Sequence, residues 1–227
     1  MFADSIELLR QGSLKVGCGL SEEALGKFSV YLRELLKWNK RINLIGLKEE
    51  GEIIASLFVD SLACGLALSP FRADSIVDIG SGAGFPGVPL KIAYPRVRLT
   101  LIEPNLKKAA FLHSIIGTLK LSDVFVWTKR VQEVATLPEC QGCFDRALIK
   151  ALRLSACLPY LKPLLGESGQ VVWCKAKSAE KPQNFFGFSL IREIEYDLPC
   201  GFGSRVLAIL ASGDPESSTV PRGTIAL

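Results

Sequence analysis

Apolar positions recur at helical spacing through the first part of the chain and break into short, closely spaced runs beyond residue 74. Leu25, Phe28, Leu32, Leu35 and Leu36 fall on one face of a helix over 21–39. Ser21 is placed to cap it, and Glu22 and Glu23 sit in its first turn, where the positive end of the helix dipole favours acids. A second helix is predicted over 51–68, ending before Pro70. Then SIVDI (75–79), VRLTLIE (97–103), DVFVW (123–127), FDRALIK (144–150) and QVVWCK (170–175) read as strands. Helices at 88–94, at 105–119 and near 153–162 fill the intervals. The second of these carries Phe111, Leu112, Ile115, Ile116 and Leu119 on its apolar face. Two last strands, 188–196 and 204–211, are close enough in sequence to pair as an antiparallel hairpin.

Strand and helix in alternation imply a doubly wound, mostly parallel sheet with helices on both faces. The expected fold is therefore α/β and Rossmann-like, seven-stranded, with N-terminal helices added. The hairpin finish reverses the last strand to antiparallel, which ordinary dinucleotide folds do not require and class I methyltransferase folds characteristically show. Three parts are expected. Residues 1–70 form a helical extension packed on the core, 71–213 the core, and 214–227, rich in Ser, Pro and Gly, a flexible tail.

The composition adds bounds. A chain of 227 residues with 48% hydrophobic content can bury one sizeable core. The net charge of +4 is compatible with a polyanionic partner but common without one. The seven cysteines are odd in number and irregularly spaced, as reduced cytosolic thiols are. Cys140 and Cys143 form a C-x-x-C in a loop, far from the single histidine, His113, so no metal site is expected. MFADSIELLR has no apolar signal core, and no stretch reaches the length of a membrane span. The reading is a cytoplasmic protein, a monomer, without a membrane partner.

VDIGSGAGFPG (77–87) joins the first strand to its helix, at the edge where open α/β sheets bind ligands. Gly80, Gly82 and Gly84 are spaced G-x-G-x-G. A dinucleotide fingerprint needs glycine at 85, where this chain has Phe85. Asp78 suits a neighbouring cation such as a sulfonium better than a pyrophosphate. Glu103, ending the second strand, can accept both hydrogen bonds of a ribose diol. These residues support a nucleoside cofactor, with S-adenosylmethionine favoured over a nicotinamide dinucleotide.

DIGSGAGFPGVPLKIAYP (78–95) and IEPNLKKAAFL (102–112) resemble the ribosomal RNA small-subunit methyltransferase G family, also called GidB. The similarity begins at LLKWNKRINLIG (35–46) and VDSL (59–62). It runs on through KRVQEV (129–134), FDRALIKAL (144–152), WCKAK (173–177) and LPCGFGSRVLAIL (198–210). The resemblance implies methyl transfer from S-adenosylmethionine to N7 of a guanosine in 16S rRNA, with the small ribosomal subunit or its precursor as partner. It further implies that Gly80 and Phe85 line the cofactor and that Val131 and Gln132 lie beside the adenine. Lys150 stands where the family has an arginine facing cofactor or substrate, and Asp60 and Asn43 match polar positions near the transfer site. Gln132 replaces a usual acid, Ser56 and Leu57 a usual arginine and histidine, and Ile45 a usual threonine.

Guanine N7 carries a free lone pair, so no proton has to leave first, and the lack of an evident base is consistent with that reaction. His113 reads as structural or surface. Asp60 has two readings, a guanine- or cofactor-orienting carboxylate and a brace for the N-terminal helices. Lys37, Lys40 and Arg41 around Trp38 form a candidate phosphate-binding patch that Lys175 and Lys177 could extend, the alternative being a solvated helix end. A methyltransferase of another substrate class, a nicotinamide-dependent oxidoreductase and a non-catalytic RNA-binding module are the competing functions.

Overall fold

The computed structural model describes residues 2–68, 74–176 and 185–212. The expected tail 214–227, Lys177 and Pro70 lie outside them. The strands are β1 (Ser75–Ile79), β2 (Arg98–Ile102), β3 (Val124–Trp127), β4 (Phe144–Lys150), β5 (Leu165–Ala176), β6 (Phe188–Asp197) and β7 (Ser204–Ser212). They form one seven-stranded sheet in the order β3-β2-β1-β4-β5-β7-β6. The first five are parallel. β7 lies antiparallel between β5 and β6. The expected doubly wound sheet with a reversed final strand is the one observed.

The winding changes direction between β1 and β4, so the loops that follow these two strands part and leave a crevice at their carboxyl ends. Ile76, Val77, Ala147 and Leu148 are wholly buried, as strands covered on both faces must be. β5 begins at Leu165, earlier than its apolar run, through an irregular pairing with Phe144.

Helix α1 (Phe2–Lys15) precedes the expected elements. Its charged residues mask a buried edge at Leu9 and Ser13. α2 (Glu22–Asn39) starts where expected, the Ser21 hydroxyl accepting from the Ala24 amide at 3.2 Å. The next helical run is α3 (Glu50–Ile53), a π-helical turn (Ile54–Val59), α4 (Asp60–Leu62) and a 3-10 turn (Ala63–Ala67). A Cβ on Gly12 would stand 2.7 Å from Val59 Cγ2, so glycine lets α1 lie against the π turn. α5 (Gly87–Ala93) and α6 (Leu106–Leu119, capped by Asn105) complete this side of the sheet.

Phe28, Tyr31, Phe58, Phe85 and Phe111 make one aromatic cluster there, Tyr31 and Phe85 stacked at 5.4 Å. The N-terminal helices thus share their core with the sheet. The other face is covered by α7 (Val131–Val134), α8 (Leu154–Cys157) and the 3-10 turn Leu158–Tyr160, with Val134, Leu158 and Leu161 wholly buried.

Candidate active site

The Gly-rich loop leaves β1 at the point where the winding reverses. Gly80, Gly82 and Gly84 all have positive φ, of 70°, 58° and 96°. Two of them also lack room for a side chain. A Cβ on Gly80 would lie 2.6 Å from Leu152 Cδ1, and one on Gly84 2.7 Å from the Tyr31 hydroxyl. Gly82 differs, for only the Gly80 carbonyl comes near, at 3.9 Å, so its backbone borders open space. The loop is anchored from below. The Gly80 and Ser81 amides donate to the Ile102 carbonyl at 2.8 and 3.1 Å. The Tyr31 hydroxyl donates to the Ala83 carbonyl at 2.5 Å.

Glu103 extends from the end of β2 beneath this loop. One carboxylate oxygen accepts from the Gly82 amide and the other from the Asn105 amide, both at 2.8 Å. Each oxygen keeps a further acceptor position. The residues present therefore fit a nucleoside whose ribose hydroxyls donate to Glu103, with the open side of Gly82 alongside.

Asp78 does not share that edge. Its carboxyl is wholly buried at the start of α5, with Oδ2 accepting from the Gly87 amide at 3.0 Å and Oδ1 without a partner among the described residues. Burial pushes the group up to about 7, against the opposing hydrogen bond from the Gly87 amide.

Phe85 packs inward between Tyr31 and Phe58. Val131 is buried at the start of α7, and Gln132 beside it is exposed. Its acidic neighbour Glu133 is committed to capping that helix, accepting from the Arg130 amide at 2.6 Å.

On the far side of Leu152 the ends of β4 and β5 open into a cleft of about 340 Å³. Ser56 and Asp60 line it from the helical run, Lys150 and Trp173 from the sheet, and Arg205 from β7. Lys150 Nζ lies 2.6 Å from Asp60 Oδ2 and donates to the Ser56 carbonyl at 3.0 Å. The Tyr196 hydroxyl, from β6, donates to Asp60 Oδ1 at 2.6 Å. Burial and the Asp60 charge push the Tyr196 phenol far above its ordinary range, so it stays protonated. Beside this group the buried Cys64 and Cys174 sulfurs are 2.8 Å apart.

Tyr196 and Arg205 are residues that sequence reasoning did not single out. Alternation along β6 marks Tyr196 only as inward-facing, and nothing local connects it with a carboxylate 136 residues away.

The remaining candidates disperse. Asn43 is exposed in the loop after α2, and among the described residues it is not part of the cleft wall. Lys37, Lys40 and Arg41 are exposed around the end of α2, Lys37 lying 3.5 Å from Glu34. Trp38 is partly buried edge-on against Phe111. Lys175, expected to extend that patch, is instead buried in the cleft wall. It is paired with Glu193 at 3.2 Å and stands 5.3 Å from the Trp173 ring centre. His113 is exposed on α6. No cluster of metal-ligating side chains occurs among the described residues. Nor is any helix among them long and apolar enough to cross a membrane.

Residues 24–193 match the family model described as rRNA small subunit methyltransferase G, GidB. The chain belongs to this family. It is 38% identical over 226 residues to the ribosomal RNA small subunit methyltransferase G of Roseiflexus castenholzii, covering 95% of this chain and 94% of that one. With the protein of the same description from Roseiflexus sp. it shares 35% over 214 residues, 91% of each. Among solved structures, the 1,6-didemethyltoxoflavin-N1-methyltransferase of Burkholderia thailandensis matches with a TM-score of 0.52 at 14% identity. That match covers 68% of this chain and 77% of the other. At that identity the likeness bears on the fold alone, and the fold agrees. Membership of the GidB family makes the chain a methyltransferase and sets aside the oxidoreductase and the non-catalytic module.

Proposed function

We propose that this protein transfers the methyl group of S-adenosylmethionine to N7 of a guanosine in 16S rRNA, within the small ribosomal subunit or its precursor. The observation that carries the reading is the adjacency of two half-sites on one sheet edge. The Gly-rich loop and Glu103 suit a nucleoside, and the Asp60 cleft begins on the other side of Leu152. The cleft is at the small end of small-ligand sites and suits one nucleotide turned out of the RNA.

S-adenosylmethionine supplies an electrophilic methyl group on a positive sulfur. Guanine N7 attacks with a lone pair already free, so the protein's task is alignment and exclusion of water. Glu103 would hold the ribose hydroxyls, and Val131 and Gln132 would flank the adenine. On the base side Asp60 accepts from the guanine N1 and N2 hydrogens, an edge that points away from N7. Lys150 holds Asp60 and carries the compensating charge. Leu152 and Trp173 wall the space between.

Transfer of labelled methyl to small subunits lacking the modification, followed by nucleoside analysis, tests this. Label in 7-methylguanosine is expected. Tight S-adenosylmethionine binding with no label on a validated substrate would move the reading to another acceptor.

A further inference from the structure

We propose that Tyr196 is a positioning residue for base recognition, its hydroxyl fixing the Asp60 carboxylate in the orientation that reads guanine. The inference rests on the function proposed above and adds a residue to it.

Asp60 is clamped at both oxygens by donors from two different strands. Lys150, at the end of β4, takes Oδ2 at 2.6 Å, and Tyr196, on β6, takes Oδ1 at 2.6 Å. A carboxylate held on one side only can turn about its last side-chain bond. Held on both, it cannot, and the ordering cost is met before the base arrives. The clamp uses one acceptor position on each oxygen and leaves one on each. Asp60 is part of the cleft wall and Tyr196 is not, so Tyr196 acts from behind it. The two remaining acceptors match the paired N1–H and N2–H donors of guanine. Adenine presents a lone pair at N1 and no amine at C2, so it would leave both acceptors unpaired in a closed site. A merely structural Tyr196 would brace β6 against the helical run, and its loss would lower stability without lowering kcat in the folded enzyme.

The test is a double-mutant cycle on small subunits lacking the modification, with Tyr196→Phe, Asp60→Asn and the pair together. Methyl transfer by the wild-type protein is read first, because its failure sinks the underlying function and not the role of Tyr196. Tyr196→Phe is expected to lower kcat about tenfold and, because it takes a donor from a buried carboxylate, to lower the melting temperature by a few degrees, with KM for the subunit and S-adenosylmethionine affinity little changed. In the Asp60→Asn background the same change is expected to cost nothing further. Additive losses, or full rates in either single variant, would overturn the proposal. Should Tyr196→Phe not fold, difluorotyrosine placed at 196 keeps ring and hydroxyl while altering donor strength. A changed kcat then supports the role and an unchanged one overturns it.

Discussion

Lys150 Nζ, at the end of β4, reaches both Asp60 Oδ2 at 2.6 Å and the Ser56 carbonyl at 3.0 Å, joining the sheet to the π-helical turn across 94 residues of sequence. The Lys150 and Asp60 side chains are only 11% and 5% exposed, so neither charge is tolerable alone. Lys150→Met is expected to destabilise the fold by about 3 kcal/mol in urea unfolding, since it strands a buried carboxylate with Tyr196 as its one remaining side-chain donor among the described residues. Lys150→Arg keeps the charge and is expected to cost less than about 1.5 kcal/mol. Equal stability of wild type and Lys150→Met would mean that water reaches Asp60 freely.

The three loop glycines should separate by the space around them. Gly80→Ala and Gly84→Ala each combine a positive φ with a Cβ closer than 3 Å to a neighbour. At Gly84 the neighbours are Tyr31 and Val88, both fixed in the core. Gly84→Ala is expected to cost about 2–3 kcal/mol and to abolish S-adenosylmethionine binding, because the loop must move. At Gly80 the neighbour is the end of Leu152, which can turn aside into the cleft, so folding should suffer less than cofactor affinity. Gly82→Ala meets only the Gly80 carbonyl at an ordinary 3.9 Å, and the backbone strain of about 1–2 kcal/mol remains. Calorimetric titration beside thermal melting would rank them. A Gly82→Ala variant less stable than Gly84→Ala would contradict the order.

Asp78 ties stability to pH. Its folded-state pKa is raised to about 7 from an ordinary 3.8, so the folded protein holds a proton that the unfolded chain releases. Below the ordinary value both states are protonated and the group contributes no difference. Between there and about 7 the unfolded state binds fewer protons, so stability falls as pH rises, and above 7 the loss is constant. Three pH units at about 1.4 kcal/mol each bound the effect at about 4 kcal/mol. Asp78→Asn mimics the neutral form and is expected to flatten this dependence between pH 5 and 7 in urea titrations. It should also be more stable than wild type at pH 8. An Asp78→Asn variant with the wild-type slope would assign the dependence to other groups.

The parts of this molecule that sequence reveals are those where the local pattern and the environment agree. β1 and β4 are covered on both faces in their middles, so the apolar cores at 76–77 and 147–149 locate the strands at 75–79 and 144–150. The Gly-rich loop is legible because its backbone accepts little else. α1 stayed hidden because its charged residues interrupt the apolar face. The start of β5 was obscured by Gly166 and Gly169. Lys175 looks like a surface cation in sequence, and only the sheet order brings Glu193 to it, beside the Trp173 that shares its face of β5. Asp60, Lys150 and Tyr196 come from three separate elements, and their meeting depends on β7 lying between β5 and β6, which no short-range pattern encodes. Asp78 reads in sequence as a partner for a cation, and which way its carboxyl points is decided by the packing of α5 on β1.

The basic residues at the end of α2 decide whether RNA is held outside the cleft as well as within it. Lys40 and Arg41 are exposed where cations suit the negative end of the helix dipole, which alone would explain them. Contact with phosphate makes a further demand, since each contact releases counterions and so steepens the dependence of affinity on salt. Lys40→Glu with Arg41→Glu is expected to weaken binding to small subunits at least tenfold at moderate salt and to reduce the log–log salt slope by about 1–2. Because these side chains lie outside the core, melting temperature and S-adenosylmethionine affinity should stay at wild-type values. Filter binding across a salt series would measure the slope. An unchanged slope and affinity would leave the cluster as a solvated helix end and place RNA recognition entirely in the cleft around Asp60.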